Sequence, residues 1–218
     1  MSDTYVLTTP FTSPDGQTLT ELTFRNPEIK TVELALSGKT ERSEREMAMV
    51  AAEFGLPYLS IEDLPASDFF GAGQMATELL GRHREAVDMT TQTLTLETPI
   101  TSDGGASIES IQLTEPKAGA FLRDMLDNEQ DSETTKEIKL VARCFKLSHD
   151  EARRLRLIDF TRALRRSEPV FSFGAPNQNA KRAAPSSDAA ASNSSSDSTS
   201  ESEGEVGNVE KAATRSRR

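Results

Sequence analysis

Apolar and polar positions follow the same order twice along this chain. Residues 7–27, LTTPFTSPDGQTLTELTFRNP, align without a gap to residues 96–116, LETPITSDGGASIESIQLTEP, and seven of the 21 positions are identical. Residues 50–69 align in the same way to residues 141–160, with seven further identities. Because both windows keep their order and spacing, the pattern predicts two copies of one structural module.

Each copy opens with two β-rich stretches around a turn. The turn reads Ser-Pro-Asp-Gly in the first copy and Ser-Asp-Gly-Gly in the second, and both sequences supply the residues that tight turns require. A β-hairpin is therefore predicted at the start of each copy. The apolar residues Leu19, Leu22 and Phe24 are spaced by three and then by two, which indicates a β-bulge rather than a plain strand.

Apolar positions at a period near 3.6 predict about three helices after each hairpin. Pro27 and Pro116 are each expected in the first turn of a helix, where the missing N–H costs little. The helical segments of the first copy are EIKTVELALSG, SEREMAMVAAEFG and IEDLPASDFFGAGQMATELLG. Those of the second are KAGAFLRDMLDNE, SETTKEIKLVARCFK and SHDEARRLRLIDFTRALRRS. Pro65 is expected to interrupt the third segment of the first copy, and Ser148 with Glu151 forms a capping-box pattern in the second.

These elements predict an α+β fold, with two tandem copies of a β-hairpin followed by about three helices, plus a disordered C-terminal tail. We expect the modules at residues 1–89 and 90–173, and the tail at 174–218. The two hairpins either pair with each other or pack on their own helices, because an isolated hairpin is marginal.

The tail is rich in Ser, Ala, Asn and Glu and nearly free of large apolar residues. Such a segment cannot bury enough apolar surface to offset its ordering entropy. It is either a flexible arm for partner binding or a passive solubilising extension. Phe171 and Phe173 are candidates to anchor its start against the second module.

Charge is distributed unevenly along the chain, whose net charge is −10. Residues 1–89 carry 15 acidic and 7 basic side chains, whereas residues 90–168 carry 14 and 12. The acidity argues against a general nucleic-acid binder, which needs a basic face for phosphates. It suits solubility or a basic protein partner.

Metal and nucleophile signals are missing. The two histidines, His83 and His149, and the single cysteine, Cys144, show none of the spacings typical of metal sites. We interpret Cys144 as a partly buried thiol and expect no disulfide, which indicates a reducing compartment. The N-terminus lacks the features of a signal peptide, and no run approaches the length of a membrane span, so we expect a soluble intracellular protein.

Phosphate-binding and acid–base motifs are missing as well. Gly71 and Gly73 in FFGAGQM lack the preceding strand and the third glycine of a dinucleotide-binding loop. The carboxylates Glu62, Asp63 and Asp68 are interpreted as helix-terminal and surface charges. We therefore expect no cofactor and no enzymatic activity.

A cluster of arginines lies on the last predicted helix of the second copy, opposed only by Glu151 and Asp159. Its members are Arg153, Arg154, Arg156, Arg162, Arg165 and Arg166. The cluster is either a docking face for an acidic helix or nucleic acid, or a helix surface docked on the acidic first module. The corresponding positions of the first copy include Glu62 and Asp63, so contact between the copies is electrostatically attractive.

Short motifs recur in both copies. Each copy begins with Leu-x-x-Pro, continues with a Gly turn, and then has an apolar residue shortly before a Pro. In the first copy these residues are Leu7, Pro10, Gly16, Phe24 and Pro27, and in the second they are Leu96, Pro99, Gly105, Leu113 and Pro116. The first copy continues with a predicted helix that ends in Phe54-Gly55-Leu56 and then with the pattern Leu64, Asp68, Phe69. The second copy has Lys146 in place of Gly55. With these motifs, each copy resembles the phage tail assembly chaperone family of Mu-like and related contractile-tailed phages.

The resemblance implies a protein of the bacterial cytoplasm that binds the tape-measure protein and is absent from the mature virion. The tail tube protein and a second copy of the chain are further possible partners. Such a chaperone would cover apolar helical stripes of its client, and the exposed candidates include Phe69, Phe70 and Met75. The alternative is that this apolar cluster belongs to the core. A tandem duplication with a Ser-rich tail departs from the usual single module.

Two alternatives come from other classes. A regulatory nucleic-acid binder would use the arginine cluster and bind in a salt-dependent way. A minor structural tail protein would be present in purified particles.

Overall fold

The described elements of the two copies follow the same order. A computed structural model describes residues 3–14, 16–117, 119 and 131–171. The first copy contains β1 (Thr4–Thr12), β2 (Thr18–Thr23), α1 (Ile29–Leu36), α2 (Arg42–Phe54), α3 (Tyr58–Glu62) and α4 (Ala66–Glu85). The second contains β3 (Thr93–Thr101), β4 (Ser107–Gln112), α5 (Glu133–Phe145), α6 (His149–Arg154) and α7 (Leu157–Phe171). The predicted α+β fold of two hairpin-and-helix modules is therefore confirmed.

Two predictions lie outside the described residues. Most of the segment predicted as the first helix of the second copy, KAGAFLRDMLDNE, belongs to this group. So does the tail from residue 174, and so do the side chains of its candidate anchors, Phe171 and Phe173.

Each hairpin forms its own two-stranded antiparallel sheet. β1 pairs only with β2, and β3 only with β4, within the described strands. The hairpins therefore pack on the helices of their own copy, β1 against α4 and β3 against α6 and α7.

Each hairpin contains a bulge, but it lies in the first strand rather than in the second, where the spacing of Leu19, Leu22 and Phe24 predicts it. Val6 pairs with Glu21 and Phe11 pairs with Leu19, so the four residues 7–10 stand opposite the single residue Thr20. Residues 96–99 are displaced from the ladder in the same way. The extra residues bend the strand and leave backbone N–H groups without a partner in the ladder.

A buried aspartate satisfies these N–H groups in each copy. Asp68 on α4 accepts the Thr8 N–H at 3.0 Å, while Asp159 on α7 accepts the N–H groups of Glu97 at 2.9 Å and Thr98 at 3.1 Å. Both carboxylates are fully buried, so the expectation that Asp68 is a surface charge was wrong. The Leu-x-x-Pro and Asp-Phe motifs thus form one structural device that fastens hairpin to helix.

Helix ends follow the sequence signals closely. Gly55 ends α2 in the left-handed conformation, and Lys146 ends α5 at the aligned position with φ 53°. Pro65 separates α3 from α4, as predicted. Ser148 and Glu151 form the predicted capping box at the start of α6.

Two predictions about helix boundaries were wrong. Pro27 lies two residues before α1 rather than in its first turn, and its carbonyl accepts the Leu157 N–H at 2.8 Å. The last segment of the second copy is broken between α6 and α7. At the break the Leu155 carbonyl accepts the Ile29 N–H at 2.9 Å, so Glu28 and Arg156 form a short antiparallel bridge between the copies.

The copies share one hydrophobic core. Ile29 and Leu94 are among its most deeply buried residues, together with Ile138, Val141 and Leu155. Gly71, noted above for its glycine-rich surroundings, has a packing role, because a Cβ there would overlap the phenol ring of Tyr5.

Candidate partner-binding surface

Two arginines of the cluster reach across to the first copy. Arg153 lies 2.7 Å from Glu33 of α1, and Arg156 lies 4.0 Å from Glu28. The Arg156 side chain also donates to the Asn26 carbonyl at 3.4 Å. These contacts correspond to the interpretation in which the cluster docks on the acidic module.

Arg154 and Arg162 are engaged within the second copy. Arg154 lies 3.0 Å from Asp103 and donates to the Thr101 carbonyl at 2.7 Å. Arg162 lies 3.0 Å from the buried Asp159, which it helps to neutralise.

Arg165 and Arg166 complete the cluster. Arg165 pairs with Glu168, which also binds Arg84 of α4. Arg166 is buried and donates to the carbonyls of Asp88 and Thr93. It therefore binds the linker between the copies, the segment that runs from the end of α4 to the start of β3. Every arginine of the cluster therefore has an intramolecular partner, and a role in partner binding stays a prediction for these six residues.

The three apolar candidates differ in exposure. Phe69 and Met75 are half-buried and pack against the core. Phe70 is 66% exposed and meets Phe69 edge to face, with ring centroids 5.2 Å apart. Phe70 is thus the member of the trio whose ring is free to contact a partner.

Further exposed apolar side chains were not predicted. Leu59 on α3 and Leu34 on α1 are 63% and 73% exposed, and Val6 on β1 is 70% exposed. The signal was present in the repeat, because Leu59 aligns with Asp150 and Val6 with Thr95. A position that changes from apolar to polar between copies is expected to lie outside the shared core.

Buried ionisable groups occupy one equivalent position of the two copies. Glu53 lies in the last turn of α2, and burial raises its pKa to about 7. Cys144 aligns with it, is fully buried rather than partly buried as expected, and has its pKa raised by burial to about 11. A thiol with so high a pKa carries little thiolate at neutral pH.

Metal-binding and membrane-spanning features were searched over the described ranges. They contain no group of three or more His, Cys, Asp or Glu side chains that could hold a metal ion. None of the helices in the described part of the chain is both long and apolar enough to cross a membrane.

Comparison with known proteins adds one match. The model of a family described as phage tail assembly chaperone proteins, E, or 41 or 14, matches residues 4–81 and again residues 93–172. No curated protein and no solved structure matches the chain. The two matched ranges correspond to the two copies of the repeat.

Proposed function

Since the chain belongs to the phage tail assembly chaperone family, we propose that it binds a tape-measure protein and keeps it soluble and competent while the tail tube polymerises around it. The observation that carries this proposal is the separate match of each copy to the family model. The tail tube protein and a second copy of this chain are further proposed partners.

The chemistry of the described surface supports a binding role. Apolar side chains such as Phe70 and Leu59 lie in solvent, and a helical client with apolar stripes would bury them. Catalysis is not part of the proposal: the single cysteine, Cys144, is fully buried, and burial raises its pKa to about 11. We place the protein in the cytoplasm of the bacterial host and outside the finished virion.

Nucleic acid is not a proposed partner. That alternative depended on free arginines, and all six members of the cluster form intramolecular contacts, as with Arg153 and Glu33 or Arg154 and Asp103. Cations already paired with carboxylates neutralise phosphates less effectively, and this neutralisation is what releases counterions from nucleic acid.

The proposal is tested by co-expression with the tape-measure protein encoded in the same phage genome. The expected result is that the tape-measure protein moves from the insoluble to the soluble fraction and co-purifies with the tagged chain. An unrelated acidic protein of similar size serves as the control for non-specific solubilisation. A client that stays insoluble and unbound in the presence of the chain would overturn the proposal.

A minor structural role makes a different prediction. A structural tail protein would be found in purified virions at a fixed ratio to tube subunits. We expect the chain in lysates of assembling cells and not in purified particles, as measured by mass spectrometry.

A further inference from the structure

Exposed large apolar side chains are confined to the first copy among the described residues. Those at least 42% exposed are Val6, Leu34, Leu59, Phe70 and Met89, all within residues 1–89. The described part of the second copy has none in this class. Because the two copies share one fold, this difference reflects surface composition rather than architecture.

The helix pair α3–α4 shows the contrast most directly. Leu59 aligns with Asp150 and Phe70 aligns with Thr161. The Thr161 hydroxyl donates to the Leu157 carbonyl at 2.8 Å, so a polar residue is fully accommodated at that position of the fold. Neither the fold nor the core therefore requires an apolar residue at these sites of the first copy.

The charge of the same segments is opposite. Residues 46–81 contain six carboxylates and no lysine, arginine or histidine, whereas the aligned residues 137–172 contain five carboxylates and nine lysines or arginines. Two of the six carboxylates, Glu53 and Asp68, are buried. Within residues 46–81, the sequence neighbours of Leu59 and Phe70 thus carry only acidic charge, and Lys39 lies outside this segment, 4.0 Å from the ring centroid of Tyr58.

Two exposed apolar and two exposed acidic side chains lie close together in sequence, between residues 59 and 70. Leu59, Glu62 and Asp63 are spaced by three and four residues and are all exposed, so they share one side of the α3 turn. Phe70 follows within the first turns of α4, where its contact with Phe69 restrains its ring. We call Leu59, Glu62, Asp63 and Phe70 the α3–α4 surface.

We propose that the α3–α4 surface of the first copy docks a cationic amphipathic helix of the client, while the second copy serves as a brace. The inference rests on the proposed function and narrows it to one copy. Apolar anchors that meet the apolar stripe of a helix supply affinity, and carboxylates beside them select flanking lysines or arginines. The arginines of the second copy are already committed to partners such as Glu33 and Glu28 of the first.

The direct test uses a labelled 18-residue helical peptide of leucine and lysine and a matched peptide in which glutamate replaces lysine. Fluorescence anisotropy with the full chain is expected to show at least tenfold tighter binding of the lysine peptide, weakening as salt is raised. The double variant Leu59→Asp, Phe70→Thr installs the residues of the second copy and is expected to weaken binding about thirtyfold.

Control variants distinguish binding at the α3–α4 surface from non-specific hydrophobic binding. Leu34→Gln removes an apolar side chain of similar exposure from α1 and is expected to leave the affinity within twofold. Glu62→Lys with Asp63→Lys is expected to abolish the preference for the lysine peptide. The proposal is overturned if the double variant, with an unchanged melting temperature, binds as well as the unaltered chain, or if Leu34→Gln weakens binding equally.

Co-expression with the tape-measure protein separates this inference from the proposed function. If the unaltered chain solubilises the client and the Leu59→Asp, Phe70→Thr variant does so equally well, the chaperone function stands and the assigned surface is wrong. If the unaltered chain fails to bind the client while the lysine peptide still requires Phe70, the proposed function fails and the surface has another cationic helix as its partner.

Discussion

At the residue scale, the carboxylate of Asp68 links hairpin to helix in the first copy through several hydrogen bonds. It accepts the Thr8 N–H at 3.0 Å, the Thr8 hydroxyl at 3.0 Å and the Tyr5 hydroxyl at 3.2 Å. The pKa of Asp68 lies below its ordinary value mainly because the Thr8 amide donates a hydrogen bond to the carboxylate, whereas burial acts to raise that pKa. Charge-assisted bonds of this kind exceed neutral ones in strength.

We expect Asp68→Asn to lower the free energy of unfolding by about 2–4 kcal/mol, because an amide presents one acceptor where the site supplies three donors. Urea denaturation followed by circular dichroism measures the change. Asp63→Asn, at an exposed position, is the matched control and is expected to change stability by less than about 0.5 kcal/mol. Equal effects of the two substitutions would contradict the role of Asp68.

Glu53 makes stability depend on pH in a definite direction. Burial raises its pKa from 4.5 to about 7 in the folded state, so the folded chain binds the proton more tightly than the unfolded chain. Its contribution is full below the unfolded pKa and is lost as pH rises through about 7. Such a shift corresponds to roughly 3 kcal/mol between the two limits.

We expect Glu53→Gln to match the unaltered chain at pH 4 and to exceed its unfolding free energy at pH 8 by about 1–3 kcal/mol. The difference between the two proteins, followed from pH 4 to pH 9, isolates this carboxylate from the others. A difference that is independent of pH would show that Glu53 titrates normally.

At the element scale, most of the architecture could be predicted from local patterns. The repeat, the turns and the caps are short-range signals, and Gly55, Pro65 and Ser148 act where the sequence places them. The break between α6 and α7 has no proline, but it lies at Arg156, which aligns with Pro65 of the first copy, so comparison of the two copies locates it. The bridge between Glu28 and Arg156 joins residues 128 positions apart, and no local pattern predicts that contact.

Lys146 offers a test of helix termination. It adopts φ 53° at the end of α5, where the first copy has Gly55 in the same conformation, and a side chain is disfavoured there. We expect Lys146→Gly to raise the free energy of unfolding by about 0.5–1 kcal/mol, as measured by chemical denaturation. The reciprocal Gly55→Ala is expected to destabilise, because a Cβ there lies 3.3 Å from the Arg25 side chain. A loss of stability in Lys146→Gly would contradict the argument.

At the scale of the whole molecule, the candidate site was only partly visible in the sequence. Phe70 was identified as an exposed candidate, but Phe69 and Met75 proved half-buried. The arginine cluster was recognised as a charge pattern, yet which arginines face solvent depends on how the second copy packs on the first. Tertiary pairing of that kind, as between Arg153 and Glu33, cannot be deduced from the composition of one helix.

The linker between the copies depends on Arg166. Its guanidinium donates to the carbonyls of Asp88 and Thr93 and, at 3.1 Å, to the Thr91 hydroxyl. The aligned residue of the first copy is Met75, so Arg166→Met retains the volume of the stem and removes the donors. Because the carbonyls would then be left without partners, we expect a loss of about 2–4 kcal/mol.

The same variant tests whether the copies unfold together. Since the core runs through both copies, we expect Arg166→Met to shift one cooperative transition to lower temperature in calorimetry, with faster amide exchange across residues 88–93. Arg165→Met is the control, because its 43% exposed side chain forms a surface pair with Glu168 and is expected to contribute less than about 1 kcal/mol. Two separate transitions, only one of them shifted, would mean that the copies are independent domains, and the second copy could not then act as a brace for the α3–α4 surface.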